Sequence, residues 1–172
     1  MAVNNSWRLA PWVDVLYASD VAWWRENDHS GFAGLKVSRG DVAGVHKVSL
    51  RGRRGMWHDH MVLDDRGVLG AGGSSGFQAL NLAVQFGARD IALVGYDARI
   101  DNGLHWHGRH ERTSNPTEGT AATWAMCLDR AAKPLAAAGV RVVNCSPVSA
   151  LAAYTKMDLT EWLAQNGEAP GR

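Results

Sequence analysis

From residue 77 to residue 143 the chain alternates helical and buried-strand patterns, and that order leaves few ways to fold. Residues 77–86 carry apolar side chains at 77, 80, 83, 84 and 86, the spacing of a buried helix, with Gly87 as its stop. Residues 91–94 (IALV) are apolar without a break. A strand that reads this way is covered on both faces. It ends in Gly95-Tyr96-Asp97, and a polar loop runs from 98 to 115. Pro116 suits the first turn of the next helix, with Asn115 as its cap. That helix shows Trp124, Leu128, Ala131 and Leu135 on one face, carries Pro134 as a kink and stops at Gly139. Residues 140–143 form another buried strand. Helix–strand–helix–strand with buried strands implies parallel pairing through right-handed crossovers. The expected fold class is α/β, a Rossmann-like three-layer sandwich with a mostly parallel sheet.

The first half is sketched more lightly. Ala2-Val3 reads as the end of a buried strand and 14–18 (DVLYA) as a second one. Residues 21–26 suit a helical turn carrying Trp23 and Trp24. Short strands are expected at 35–37 and 45–50, with a turn at Gly40-Asp41, and 51–54 reads as a basic, solvated loop. Near the end, 158–165 is a last amphipathic helix. A length of 172 residues fits one domain, here 1–166, with 167–172 as a flexible tail. A formal net charge of +1 argues for neither nucleic acid nor a membrane surface as partner. No apolar run approaches the roughly 18–20 residues of a membrane span. With no signal-peptide pattern at the N-terminus, the expected location is the cytoplasm. Cys127 and Cys145 read as two small buried hydrophobes in a reducing compartment. The tryptophans Trp7, Trp12, Trp23 and Trp24 crowd the first 24 residues, as core packing or as a wall for a flat ring or a partner.

Three segments carry chemistry. In 70–76 (GAGGSSG), glycines admit positive φ, and the free N–H groups of the following helix start favour an anion. Gly72, Gly73, Ser74, Ser75 and Gly76 are therefore candidates to hold phosphate or carboxylate. The pattern is neither a dinucleotide fingerprint nor a Walker A loop, and the strand expected before it is weak. Asp97, at the carboxyl end of a strand, is placed to hold a metal, a ribose hydroxyl or a catalytic histidine, or to cap a turn. His105, His107 and His110, with Trp106 between them, form the most unusual local feature. Such a loop supplies a general base or a phosphate contact, or ligates a metal with Asp97, Asp101, His58 and His60; it also reads as a solvated loop. No helical i, i+4 histidine pair or cysteine set supports a metal, so none is assigned. His58 and His60 are candidates for the pocket rim. Asn4 and Asn5 suit either a base or sugar edge, or helix capping.

Residues 75–97 (SGFQALNLAVQFGARDIALVGYD) resemble a segment shared by two groups. One is the archaeal hydroxymethylpterin pyrophosphokinase family (MptE-like). The other is the bacterial CMP-sialic acid-dependent sialyltransferases. Over nearly its whole length the chain is similar to phage and prophage proteins of Proteobacteria, on Val3-Asn4-Asn5, Ala18-Ser19-Asp20, Trp23-Trp24, His105-Trp106-His107-Gly108 and 143–147 (VNCSP). The resemblance implies a nucleotide-dependent transferase, glycosyl or pyrophosphoryl. Its donor would be a nucleotide or nucleotide-sugar, with or without Mg2+. It places Asn4 or Asn5 on the nucleotide, Ser75 and Gly76 at its helix site, and His107 or His110 as general base oriented with Asp97. His105, Trp106, His58, His60 and Asp20 would form the rim. Relatives of this kind begin with a further strand and phosphate loop. On that comparison both would precede residue 1, through a misassigned start, a short form or a partner's strand, and an exposed sheet edge would favour a homo-oligomer. The alternatives are a non-catalytic phage nucleotide-binding or host-interaction protein, and a metal-dependent hydrolase.

Overall fold

The computed structural model describes residues 1–52, 60–101 and 115–167. The described residues hold nine short strands and four α-helices, and every strand pairing among them is parallel. β1 (Ala2–Val3) pairs β2 (Val15–Tyr17), β2 pairs β3 (Leu35–Ser38), and β3 pairs β4 (His46–Lys47). A single 3-10 turn (Asn4–Arg8) joins β1 to β2, and α1 (Val21–Glu26) lies between β2 and β3. The expected strand at 45–50 is split. Val48 N donates to Ser38 O, while Ser49 N donates to Gly67 O, so the chain changes partner at Val48. Beyond it, β5 (Ser49–Arg51) pairs β6 (Val68–Gly70). Arg51 therefore ends a strand instead of sitting in a loop, and its exposed guanidinium pairs with Asp65 at 2.8 Å.

The second half follows the expected order more closely. α2 (Ser75–Gln85) leads to β7 (Asp90–Leu93), α3 (Glu118–Ala137) to β8 (Arg141–Asn144), and a small β9 (Thr155–Lys156) completes a sheet ordered β7-β8-β9 before α4 (Leu159–Asn166). Asn115 is not the cap of α3. Thr117 is: its hydroxyl accepts from Thr120 N at 3.2 Å, two residues later than expected. The helix runs through Pro134 to Ala137. Phe86, expected on the buried face of α2, is instead the C-cap residue and 55% exposed. Gly87 takes the left-handed conformation (φ +96°) that stops a helix.

Period-2 alternation places a helical layer on each face of the first sheet. Ala2, Leu16 and Ala18 point to one side, where Trp7, Trp23, Trp24 and Phe32 cover them. Val3, Val15, Tyr17 and Val37 point to the other and pack on Ala79 and Leu82 of α2. The opposite side of α2, with Phe77, Leu80 and Val84, packs with Leu93, Cys127, Leu128, Ala131 and Leu135. α2 is thus the central helix, enclosed between the first strands and the β7–α3–β8 unit. Among the described residues, no helix is long and apolar enough to cross a membrane. The tryptophan crowding at the N-terminus resolves mainly into core: Trp23 and Trp24 meet edge to face at 5.0 Å, whereas Trp12 is 79% exposed.

All three tyrosines of the chain, Tyr17, Tyr96 and Tyr154, have their phenols pushed above the ordinary 10.0 by burial. The folded state holds these protons more tightly than the unfolded chain. Their contribution is complete below pH 10.0 and is lost as pH rises through the higher folded values. In an alkaline titration, phenolate absorbance is expected to appear together with the loss of far-UV circular dichroism. A phenolate signal at an ordinary midpoint in a still-folded protein would contradict this burial.

Candidate functional site

The turn that begins α2 is built by local sterics. Gly72 and Gly73 both adopt positive φ, +51° and +73°. Ser74 then turns extended as the N-cap, and its hydroxyl accepts from Phe77 N at 3.2 Å. The first turn of α2 contains no acidic residue, so nothing there offsets the partial positive charge of its free N–H groups. β6, the strand that precedes the turn, is carried by only three residues, which explains why the sequence showed it weakly.

Hydrogen bonds fix where this helix start points. Ser75 Oγ accepts from Ser19 N at 3.3 Å, beyond the carboxyl end of β2. Tyr96 Oη donates to Gly76 O at 3.0 Å, and Tyr96 lies beyond the carboxyl end of β7. Trp124 of α3 donates its indole N–H to Gly73 O at 2.8 Å. Below them Gln78 clamps the turn, donating to Ala71 O and accepting from Tyr17 Oη, each at 2.7 Å. The start of α2 therefore sits between the ends of two strand groups, one ordered β1 to β4 and the other β7 to β9. In open parallel sheets that junction is where ligands bind. Both serine bonds use the hydroxyl oxygen as acceptor, so each hydroxyl proton remains to be donated.

Of the expected site residues, Ser74, Ser75 and Gly76 come together with Tyr96, and Asp97 follows Tyr96 directly. Asp97 is exposed, and its backbone oxygen accepts from Ala150 N at 2.8 Å. Asn4 and Asn5 lie at the carboxyl end of β1. Asn4 holds φ +49°, and Asn5 is 8% exposed, with an Oδ1 that has no partner among the described residues. A buried acceptor left unpaired costs about 1–3 kcal/mol. Gly72 plays a different part from the one expected of it. A Cβ there would stand 2.0 Å from the Phe77 ring, so its bare backbone makes room for the core. Asp20 is engaged on the surface with Arg39 at 2.7 Å. His60 is exposed, and its carbonyl would lie 2.1 Å from a Cβ at Gly70, beside the turn. His58, His105, Trp106, His107 and His110 lie outside the described residues. Among the described residues no three His, Cys, Asp or Glu side chains gather as a metal site.

Sequence reasoning missed Tyr17, Ser19, Gln78, Asn81 and Trp124, all of which shape the turn. A signal existed for two of them: Gln78 and Asn81 are polar residues inside an otherwise apolar helix, a pattern that marks side chains bonded to backbone. No protein-family model matches the chain, and no curated protein or solved structure matches it either. The class that the fold and site define is an α/β protein of parallel sheets with an anion-favouring helix start between two strand ends.

Proposed function

We propose that the chain is a nucleotide-dependent transferase, transferring a glycosyl or pyrophosphoryl group. The observation that supports this reading best is the helix start held between Ser19 and Tyr96. It offers free N–H groups and two hydroxyls at the sheet junction, where the donor phosphates would lie. Asn5, buried with an open acceptor at the end of β1, suits an amino or hydroxyl group of the base or ribose. The resemblance of residues 75–97 to pyrophosphokinases and sialyltransferases supports the same assignment. On that resemblance the general base falls on His107 or His110.

Thermal-shift measurements with CTP, CMP-sugars, GTP and ATP, with and without Mg2+, test the reading. At least one is expected to raise the melting temperature in a saturable way. Ser75→Ala removes one donor to the phosphates and is expected to weaken that ligand roughly tenfold, about 1.4 kcal/mol. If none of these nucleotides shifts the melt, the proposal fails. One observation favours a second reading, a non-catalytic interaction protein: Trp12 and Leu9 stand 79% and 61% exposed. His107→Ala and His110→Ala would separate the two. Whichever of them removes the general base is expected to abolish transfer in a transferase, and both are expected to leave binding by an interaction protein intact.

A further inference from the structure

The ends of β2 and β3 bring a pair of opposite charges to the turn that begins α2. Ser19 lies beyond the end of β2, and its N–H donates to Ser75 Oγ at 3.3 Å. Ser38 closes β3 and donates its hydroxyl to Ser19 O at 3.4 Å, so both strand ends are tied to the residue that meets α2. The next residue in each segment is charged, Asp20 after Ser19 and Arg39 after Ser38. Both charges reach the Tyr17 phenol. Burial raises it most, the Ser19 hydroxyl and Arg39 oppose the rise, and Asp20 adds to it. That phenol donates to Gln78, which holds Ala71 O of the glycine turn. The end of β1 adds an independent sign of a ligand. Val3 is the register partner of Tyr17, and two residues beyond each stand Asn5 and Ser19. Asn5 is 8% exposed, and its Oδ1 has no hydrogen-bond partner among the described residues. Buried side-chain acceptors are nearly always paired.

The charge pair is built to exchange. Arg39 Nη2 donates to Asp20 Oδ1 at 2.7 Å. The two side chains are 49% and 65% exposed, and an ion pair that solvent reaches so freely adds little stability. Asp20 also has a second place to go. It is the N-cap residue of α1, with the extended backbone of a cap, yet its side chain makes no cap bond. An aspartate there ordinarily accepts from the free N–H groups of the first turn. Release of Arg39 therefore leaves neither group stranded: the carboxylate turns to α1, and the guanidinium turns to an anion.

We propose that Arg39 is a ligand for a phosphate group at the start of α2, and that Asp20 is its internal competitor. This rests on the reading of that helix start as a phosphate site. The exchange sets a charge threshold. A carboxylate or other monoanion replaces Asp20 like for like. A terminal phosphate carries about −1.5 to −2 charges and three acceptor oxygens, which a guanidinium meets with two parallel bonds. The competition thus selects polyanionic ligands over monoanionic ones.

Calorimetric titration of the full chain with inorganic pyrophosphate tests this, with acetate as the monoanion. Pyrophosphate is expected to bind and acetate at the same concentration is not. Asp20→Asn, which keeps a capping side chain, should bind pyrophosphate roughly two- to fivefold more tightly. Arg39→Gln should bind it roughly tenfold more weakly, or worse. The double variant should match Arg39→Gln, because Asp20 acts through Arg39. Four results would overturn the proposal: no pyrophosphate binding by the parent chain or Asp20→Asn; both single variants at the parent affinity; both weakened, so that the pair only braces the strand ends; or a gain from Asp20→Asn that persists in the double variant, so that net charge alone explains it. The transferase reading is judged separately by the nucleotide melts. If pyrophosphate behaves as expected and no nucleotide shifts the melt, that reading fails and this one stands. If a nucleotide stabilises the parent and both single variants equally, this one fails and that reading stands.

Discussion

Gly72→Ala is expected to lower stability by about 2–5 kcal/mol, one of the two largest losses from a single substitution here. Two costs combine. The left-handed backbone at φ +51° costs an L side chain about 1–2 kcal/mol. The new methyl would also stand 2.0 Å from the ring of Phe77, which is fully buried, and overpacking a core of this kind costs about 1–3 kcal/mol. Phe77 cannot swing aside freely, because it packs with Leu80, Leu93 and Leu128 in the larger core cluster. Gly73→Ala is the control. It shares the positive φ, +73°, but its methyl would meet Trp124 at 3.6 Å and Thr123 at 3.9 Å, both ordinary contacts. It should lose only the conformational part, about 1–2 kcal/mol. Urea denaturation of the two variants reads the difference. Equal losses would mean that the Phe77 contact is not the cause, and that the turn is set by backbone conformation alone.

The contrast between these neighbouring glycines shows what the residue pattern conveys and what it does not. Both read alike in GAGGSSG, as freedom for a backbone that approaches a ligand. Only packing distinguishes the one that accommodates a core ring from the one whose carbonyl receives Trp124. The order of elements was legible because it depends on periodicity: residues 21–26 and the β7 and α2 segments lie almost where their apolar spacing put them. β6 and β9 escaped because two or three residues carry too little pattern, and their partners lie 19 and 12 residues away at Ser49↔Val68 and Val143↔Thr155. The split at Val48 likewise depends on which neighbour each amide meets. For the site, the glycine–serine turn and Asp97 were visible as local composition. Ser19 and Tyr17 were not, since what matters about them is a contact with residues 56 and 61 positions away.

Asn81→Leu is expected to cost about 2–6 kcal/mol, because a side chain of nearly equal size would leave two buried backbone donors without acceptors. Asn81 is fully buried in the middle of α2. Its Oδ1 accepts from Val62 N at 2.9 Å and from Gly70 N at 2.8 Å, while its Nδ2 donates to Val62 O at 2.8 Å. One amide thus ties the strand leading into the glycine turn to the helix leaving it. Val62 O is also reached by Gln85 Nε2 at 2.8 Å, so that group keeps a partner when Asn81 is replaced. The same sharing makes a double-mutant cycle informative. Asn81→Leu and Gln85→Met together should depart from additivity by more than about 0.5 kcal/mol, because the second change removes the remaining donor. The functional consequence follows from position. Gly70 opens the turn that aims Ser74, Ser75 and Gly76, so loosening its amide blurs the helix start before the protein unfolds. Measured well below its melting temperature, Asn81→Leu should therefore lose affinity for whichever nucleotide stabilises the parent chain. Unchanged affinity in a folded, destabilised variant would show that α2 alone, without the Gly70 tether, fixes the geometry of its own N-terminus.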